Sequence, residues 1–163
     1  MPTRLATAVL TTRDACAFYG KGHVQWMVRS GRWQRPAKGV VVLHSGPLSH
    51  DDRLWCELFV QGPRAALAGL TAAALDGLSG FQTSGLFVLV PRGRRPKQRD
   101  GVIVHSTRSL DDRHVHPVRT PRRTRLPRSV VDAAAWAVTD LRAQAIIAPP
   151  SNRGWSHHKT STR

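Results

Sequence analysis

The chain is poor in acid: 10 Asp and Glu stand against 25 Lys and Arg, for a formal net charge of +15. Its only glutamate is Glu57, inside an apolar segment with no lysine near it. A metal-dependent nuclease needs clustered carboxylates and a nearby lysine to hold a cation and activate water, and that set is missing. Cysteine is scarce too. Cys16 and Cys56 sit far apart without paired spacing, which excludes a thiolate zinc site and a disulfide scaffold. They read as buried reduced thiols. No apolar run approaches the length needed to span a bilayer as a helix. Met1 to Leu10 lacks a basic start followed by a long apolar run, so no secretion signal is expected and the cytoplasm is the expected compartment. Phosphate-cradling glycine loops and serine nucleophile elbows are absent as well. No enzyme activity, cofactor or metal is expected.

What is present is a core-forming composition, 40% hydrophobic, and an uneven distribution of positive charge. Residues 1–47 carry seven basic side chains and one acid, residues 48–91 two basic and four acidic, and residues 92–128 twelve basic and three acidic. Arginine supplies most of this charge, which coding bias alone also produces, so the uneven placement carries the reading. Two basic blocks flanking a nearly balanced one point to two surfaces that face a polyanion, nucleic acid first.

Along the chain, Thr11 to Phe18 reads as a short helix with a Thr cap and Asp14 in its first turn. Gly20 breaks it. A second helix is predicted over 22–29, with Val24, Met27 and Val28 forming a buried stripe. Strands over 32–35 and 39–43 follow, joined by a turn at Pro36-Ala37-Lys38. Two short helices and then a basic hairpin is the order of a winged helix-turn-helix. In that arrangement the second helix enters the major groove, so one face packs inward and the other offers polar groups to bases and phosphates. The outward candidates are Lys21, His23, Gln25 and Arg29. Arg32, Arg35 and Lys38 in the wing neutralise phosphates beside it. Trp33 reads as the anchor of the wing against the helices.

After Gly46-Pro47 an amphipathic helix is predicted over 48–61, with Leu54, Leu58 and Gln61 on one side and Asp51, Asp52 and Arg53 outside. A short buried strand at 65–69, a small-residue helix capped by Thr71, and an apolar strand at 86–90 come next. Residues 102–105 are expected to return as the hairpin partner of that strand across a basic turn. His114 and His116 belong to a further extended segment running to Thr120; without a third ligand they make no metal site. A last helix is predicted over 130–148, with Val131, Ala134, Ala135 and Val138 inward. The fold class is therefore α+β: a winged helix-turn-helix over 1–47, a small mixed α/β domain over 48–148, and a polar tail over 149–163.

Several of these segments together resemble the AbiEi-type antitoxins of actinobacteria. They are Arg29 to Arg35 with Gly39-Val40, Leu70 to Leu78, Val90-Pro91-Arg92-Gly93, Val104 to Arg108 and Arg128 to Ala134. The resemblance runs from about Thr11 to Ala148. It implies an N-terminal winged helix that represses its own operon, and a following domain connected with neutralising a nucleotidyltransferase-like toxin. Many such relatives continue into a Vsr-like nuclease domain. Here residues 149–163 change character instead, and a one-nucleotide shift of frame at Pro150 permits a continuing helical segment with suitable synonymous codons. The tail accordingly reads as disordered or frameshifted. The function expected is a DNA-binding, autoregulatory transcription regulator whose partner is double-stranded DNA. The alternatives are a toxin-neutralising protein-interaction module and the inactive, truncated remnant of a nuclease-domain protein.

Overall fold

A computed structural model describes residues 7–83, 85–93 and 95–148; the tail expected over 149–163 lies outside them. The fold is mixed α+β, with six helices and two three-stranded sheets among the described residues. It divides into two compact units, residues 1–65 and 66–163.

In the first unit the order is β1 (Val9–Thr11), α1 (Thr12–Tyr19), α2 (Lys21–Arg29), β2 (Gln34–Ala37), β3 (Val40–Val42) and α3 (His50–Gln61). Thr11 caps α1, its hydroxyl oxygen accepting the Asp14 N–H at 3.1 Å. Gly20, at φ +80°, turns the chain directly into α2. The sheet order is β1-β3-β2, and both pairings are antiparallel. Strand β3 is central, which explains its unbroken valines: alternate side chains serve opposite faces, and both faces are covered. Val40 and Val42 meet Cys56 and Val60 of α3 with Val9. Val41 meets Ala15, Val24 and Trp33 on the other side. Each fully buried valine contributes on the order of 1.5–3 kcal/mol, so the short sheet is held mainly by these layers.

Three expectations shift here. The hairpin turn is Lys38-Gly39, with Gly39 at φ +86°, and Pro36 lies in β2 beside a register irregularity rather than in the turn. An edge strand tolerates a residue without an N–H. The boundary expected after residue 47 falls after α3 instead, because α3 buries its apolar side on β1 and β3. Asp52, expected outside, is buried as half of a capping box. Its carboxylate accepts the Ser49 N–H at 2.9 Å, and the Ser49 oxygen accepts the Asp52 N–H at 3.1 Å.

The second unit contains β4 (Ala66–Leu67), α4 (Gly69–Leu75), β5 (Leu86–Pro91), β6 (Val102–Thr107), α5 (Leu126–Ala135) and α6 (Asp140–Ile147). Its sheet order is β4-β5-β6. The expected hairpin between β5 and β6 is not formed. The two strands pair in parallel, from Leu86 opposite Val102 to Pro91 opposite Thr107. Residues 92–101 connect the two parallel strands. They are charged and contain Pro96, so they offer no alternating apolar run to pair as a strand. Gly85 and the Gly101 carbonyl meet where the strands begin: a Cβ on Gly85 would stand 2.7 Å from that oxygen.

Thr71 is not the cap of α4. It is buried within the helix, and its hydroxyl oxygen accepts the Phe87 N–H at 2.8 Å, tying α4 to β5. The helix expected over 130–148 is two helices, broken between Trp136 and Thr139; the Thr139 hydroxyl oxygen accepts the Arg142 N–H and starts α6. Val131 and Val138, expected inward, are 62% and 91% exposed. Ala135, also expected inward, is exposed, whereas Ala134 is half-buried as expected and packs against the cluster of Ala133 and Ile146 with Leu70, Ala73 and Leu78. The extended segment expected near His116 is reduced to single bridges, Val115 with Thr124 and Leu67 with Arg123.

Candidate nucleic-acid interface

The α2 helix is amphipathic in the sense that its sequence stripe requires. Val24 is fully buried, Met27 and Val28 pack against the same cluster, and the remaining residues face outward. Lys21, Gln25 and Arg29 recur every fourth position and so form one outward stripe. Nothing compensates the positive end of this helix. It has no side-chain cap and no acid in its first turn, and Lys21 adds a charge of the same sign as the dipole. Such an end disfavours the isolated helix and favours an incoming anion. A Cβ on Gly22 would meet nothing within 4 Å, so backbone is open to approach there.

All seven residues singled out from the sequence are exposed: Lys21, His23, Gln25, Arg29, Arg32, Arg35 and Lys38. Arg35 lies on β2 and Lys38 in the hairpin turn. Arg32 precedes β2 and belongs to the bend after α2, where its guanidinium lies over the Trp26 ring at 5.0 Å. Among the described residues, none of the five cations in this set forms an ion pair. His23 projects less freely. Its ring packs among Tyr19, Trp26 and Trp33, with centroids 6.0, 6.1 and 5.7 Å away.

Trp33 is the expected anchor, 7% exposed and in edge contact with Tyr19 at 5.1 Å. Sequence reasoning missed Trp26, which is 51% exposed, and the exposed rings of Phe18 and Tyr19 at the end of α1. The signal was available. A stripe of Val24, Met27 and Val28 places position 26 on the opposite side of a helix with 3.6 residues per turn.

The basic block over 92–128 behaves differently. Arg123 is buried and, with Arg119, bonds the Asp76 carboxylate at 3.0 and 2.9 Å. Arg128 bonds Asp132 at 2.8 Å, and Arg113 bonds Asp111 at 3.0 Å. His114 contacts Asp111 at 2.9 Å, and no group of three or more metal-ligating side chains occurs among the described residues. No helix among the described residues is long and apolar enough to cross a membrane. Neither protein-family models nor curated proteins give a match to this chain.

Proposed function

We propose that the first unit is a winged helix-turn-helix that binds double-stranded DNA, and that the protein is an autoregulatory transcription regulator of the AbiEi-antitoxin type. The observation that carries this reading is the unpaired, exposed set of Lys21, Arg29, Arg32, Arg35 and Lys38 around α2 and its hairpin. An apolar inner face fixes the helix on the sheet, and Gln25 is left outward to read base edges. Arg32, Arg35 and Lys38 supply phosphate contacts. No reaction is assigned to the protein.

The test is fluorescence anisotropy on the DNA upstream of its own reading frame, titrated at several salt concentrations. Arg32→Ala with Arg35→Ala should weaken binding and flatten the log–log salt slope by about 0.9 for each phosphate that is no longer neutralised. Unchanged affinity and slope in that double variant would remove the hairpin from the interface.

A second reading, the toxin-binding module, is favoured by one observation in the other unit. Val131, Val138, Leu141 and Ile147 of the α5–α6 region are 62–91% exposed, an unusual share of apolar surface. Co-purification with a nucleotidyltransferase-like protein, abolished by Val138→Asp with Leu141→Asp, tests it.

A further inference from the structure

A concavity of about 320 Å³ in the second unit is lined by Asp76, His116, Arg119, Arg125, Leu126 and Pro127. Its charge is lopsided. Asp76 is the one carboxylate, and it already accepts from both Arg123 and Arg119. Arg125 donates its Nε–H to the Val115 carbonyl at 3.2 Å, and its two terminal amino groups have no partner among the described residues. Arg119 and Arg123 thus neutralise the one carboxylate, and Arg125 adds a further guanidinium to the lining of the same hollow.

The ring of His116 is oriented by its own loop. Nδ1 accepts the backbone N–H groups of Val118 and Arg119 at 3.4 and 3.2 Å. This leaves the ring proton on Nε2, so the free edge of the imidazole is a donor. The same loop presents the Arg119 guanidinium, whose Nη1 holds Asp76 while its other N–H groups have no partner among the described residues. Donors from three side chains thus line one hollow, and its only acid is already occupied.

We propose that this hollow is a binding site for a phosphoryl group, either free phosphate or the terminal phosphate of a nucleic acid. Tetrahedral phosphate oxygens accept several charge-assisted bonds at once, which suits planar guanidinium forks beside an imidazole N–H. Arg123 and Asp76 hold the wall, and Arg119, Arg125 and His116 make the contacts. The site is in the unit that does not contain α2, so it stands or falls apart from the DNA-binding reading.

The experiment is calorimetric titration of the full chain at fixed ionic strength with three probes: inorganic phosphate, a 5′-phosphorylated dinucleotide and the same dinucleotide without its phosphate. The variants are Arg119→Gln and Arg125→Gln, with Arg108→Gln as an equal change of charge at an exposed position elsewhere. The phosphorylated probes should bind, with each site variant weaker by about tenfold and Arg108→Gln unchanged. Binding of inorganic phosphate alone would identify the free ion as the source, and binding of the dinucleotide alone a nucleic-acid end. Should a variant fail to fold, the His116 ring proton signals in the unaltered protein decide the matter, because phosphate must shift them ahead of those of His23. No binding, equal binding of the unphosphorylated probe, or equal weakening in all three variants would overturn the proposal.

Discussion

The two units use arginine in opposite ways. Around α2 the cations stand exposed and without carboxylate partners, while in the second unit Arg119, Arg123 and Arg128 are committed to Asp76 and Asp132. Both blocks are basic by count, yet the five cations around α2 are left to solvent or a partner while part of the second block is neutralised within its own unit. The lesson is that charge excess locates a polyanion surface only after the internal partners are subtracted.

The sharpest way to break this contrast is stability. Arg123→Ala removes the buried partner of a carboxylate whose side chain is 6% exposed, and should destabilise the second unit by about 3 kcal/mol, the low end for such pairs because Arg119 still reaches Asp76. Arg35→Ala in the first unit should stay within about 0.5 kcal/mol. Urea unfolding followed by peptide-resolved hydrogen exchange separates the two. Equal effects would show that the distinction between committed and free arginine is wrong.

The next effect concerns binding. Trp26→Ala removes the ring under Arg32 and should weaken DNA affinity by about tenfold, as truncation of a central aromatic side chain does. Its cost in stability should be about 0.5–1 kcal/mol, the value of an exposed cation–π interaction. Melting temperature and anisotropy measured on one preparation check both halves.

Ser49→Ala sharpens the contrast in another way, since the first unit uses the buried carboxylate of Asp52 for architecture. Removing the cap should cost about 1 kcal/mol. Burial pushes Asp52 up, but hydrogen bonds from the Ser49 side chain and backbone and from His44 outweigh it and hold the carboxyl below its ordinary range. A depressed carboxyl stabilises the fold above the unfolded value and loses that contribution as pH falls through the folded one, so the deficit of Ser49→Ala should shrink below about pH 4.

The smallest effect is in the second unit. Burial lowers the pKa of His105, with Asp132 pulling the other way, and the ring stacks on Trp136 at 3.8 Å. A histidine held neutral stabilises above its unfolded value, about 6.5, and less as pH falls through it. Acidification should therefore lower the melting temperature of this unit, and His105→Phe, which keeps an aromatic ring in the stack, should reduce the dependence.

Much of the first unit was legible because its signals are local. The Thr11 cap, the Gly20 break and the Val24, Met27, Val28 stripe each depend on neighbours within two turns. The second unit was less so. The parallel pairing of β5 with β6 depends on the path of residues 92–101, and their composition records charge but not direction. The apolar residues of 130–148 continue past Trp136, yet Thr139 offers a second cap and the chain breaks there. Trp26 was missed because a tryptophan reads as core until the opposite face of its helix has been assigned. Arg123 was counted as surface because sequence does not reveal Asp76 as its partner across the fold.

A duplex-binding face on α2 and its hairpin is what the proposed function rests on. Salt-dependent anisotropy with Lys21→Ala, Arg29→Ala, Arg35→Ala and Lys38→Ala combined tests it most directly. Binding to the upstream duplex should collapse while the unfolding curve barely moves. Retention of the original affinity and salt slope, in a folded variant, would contradict it.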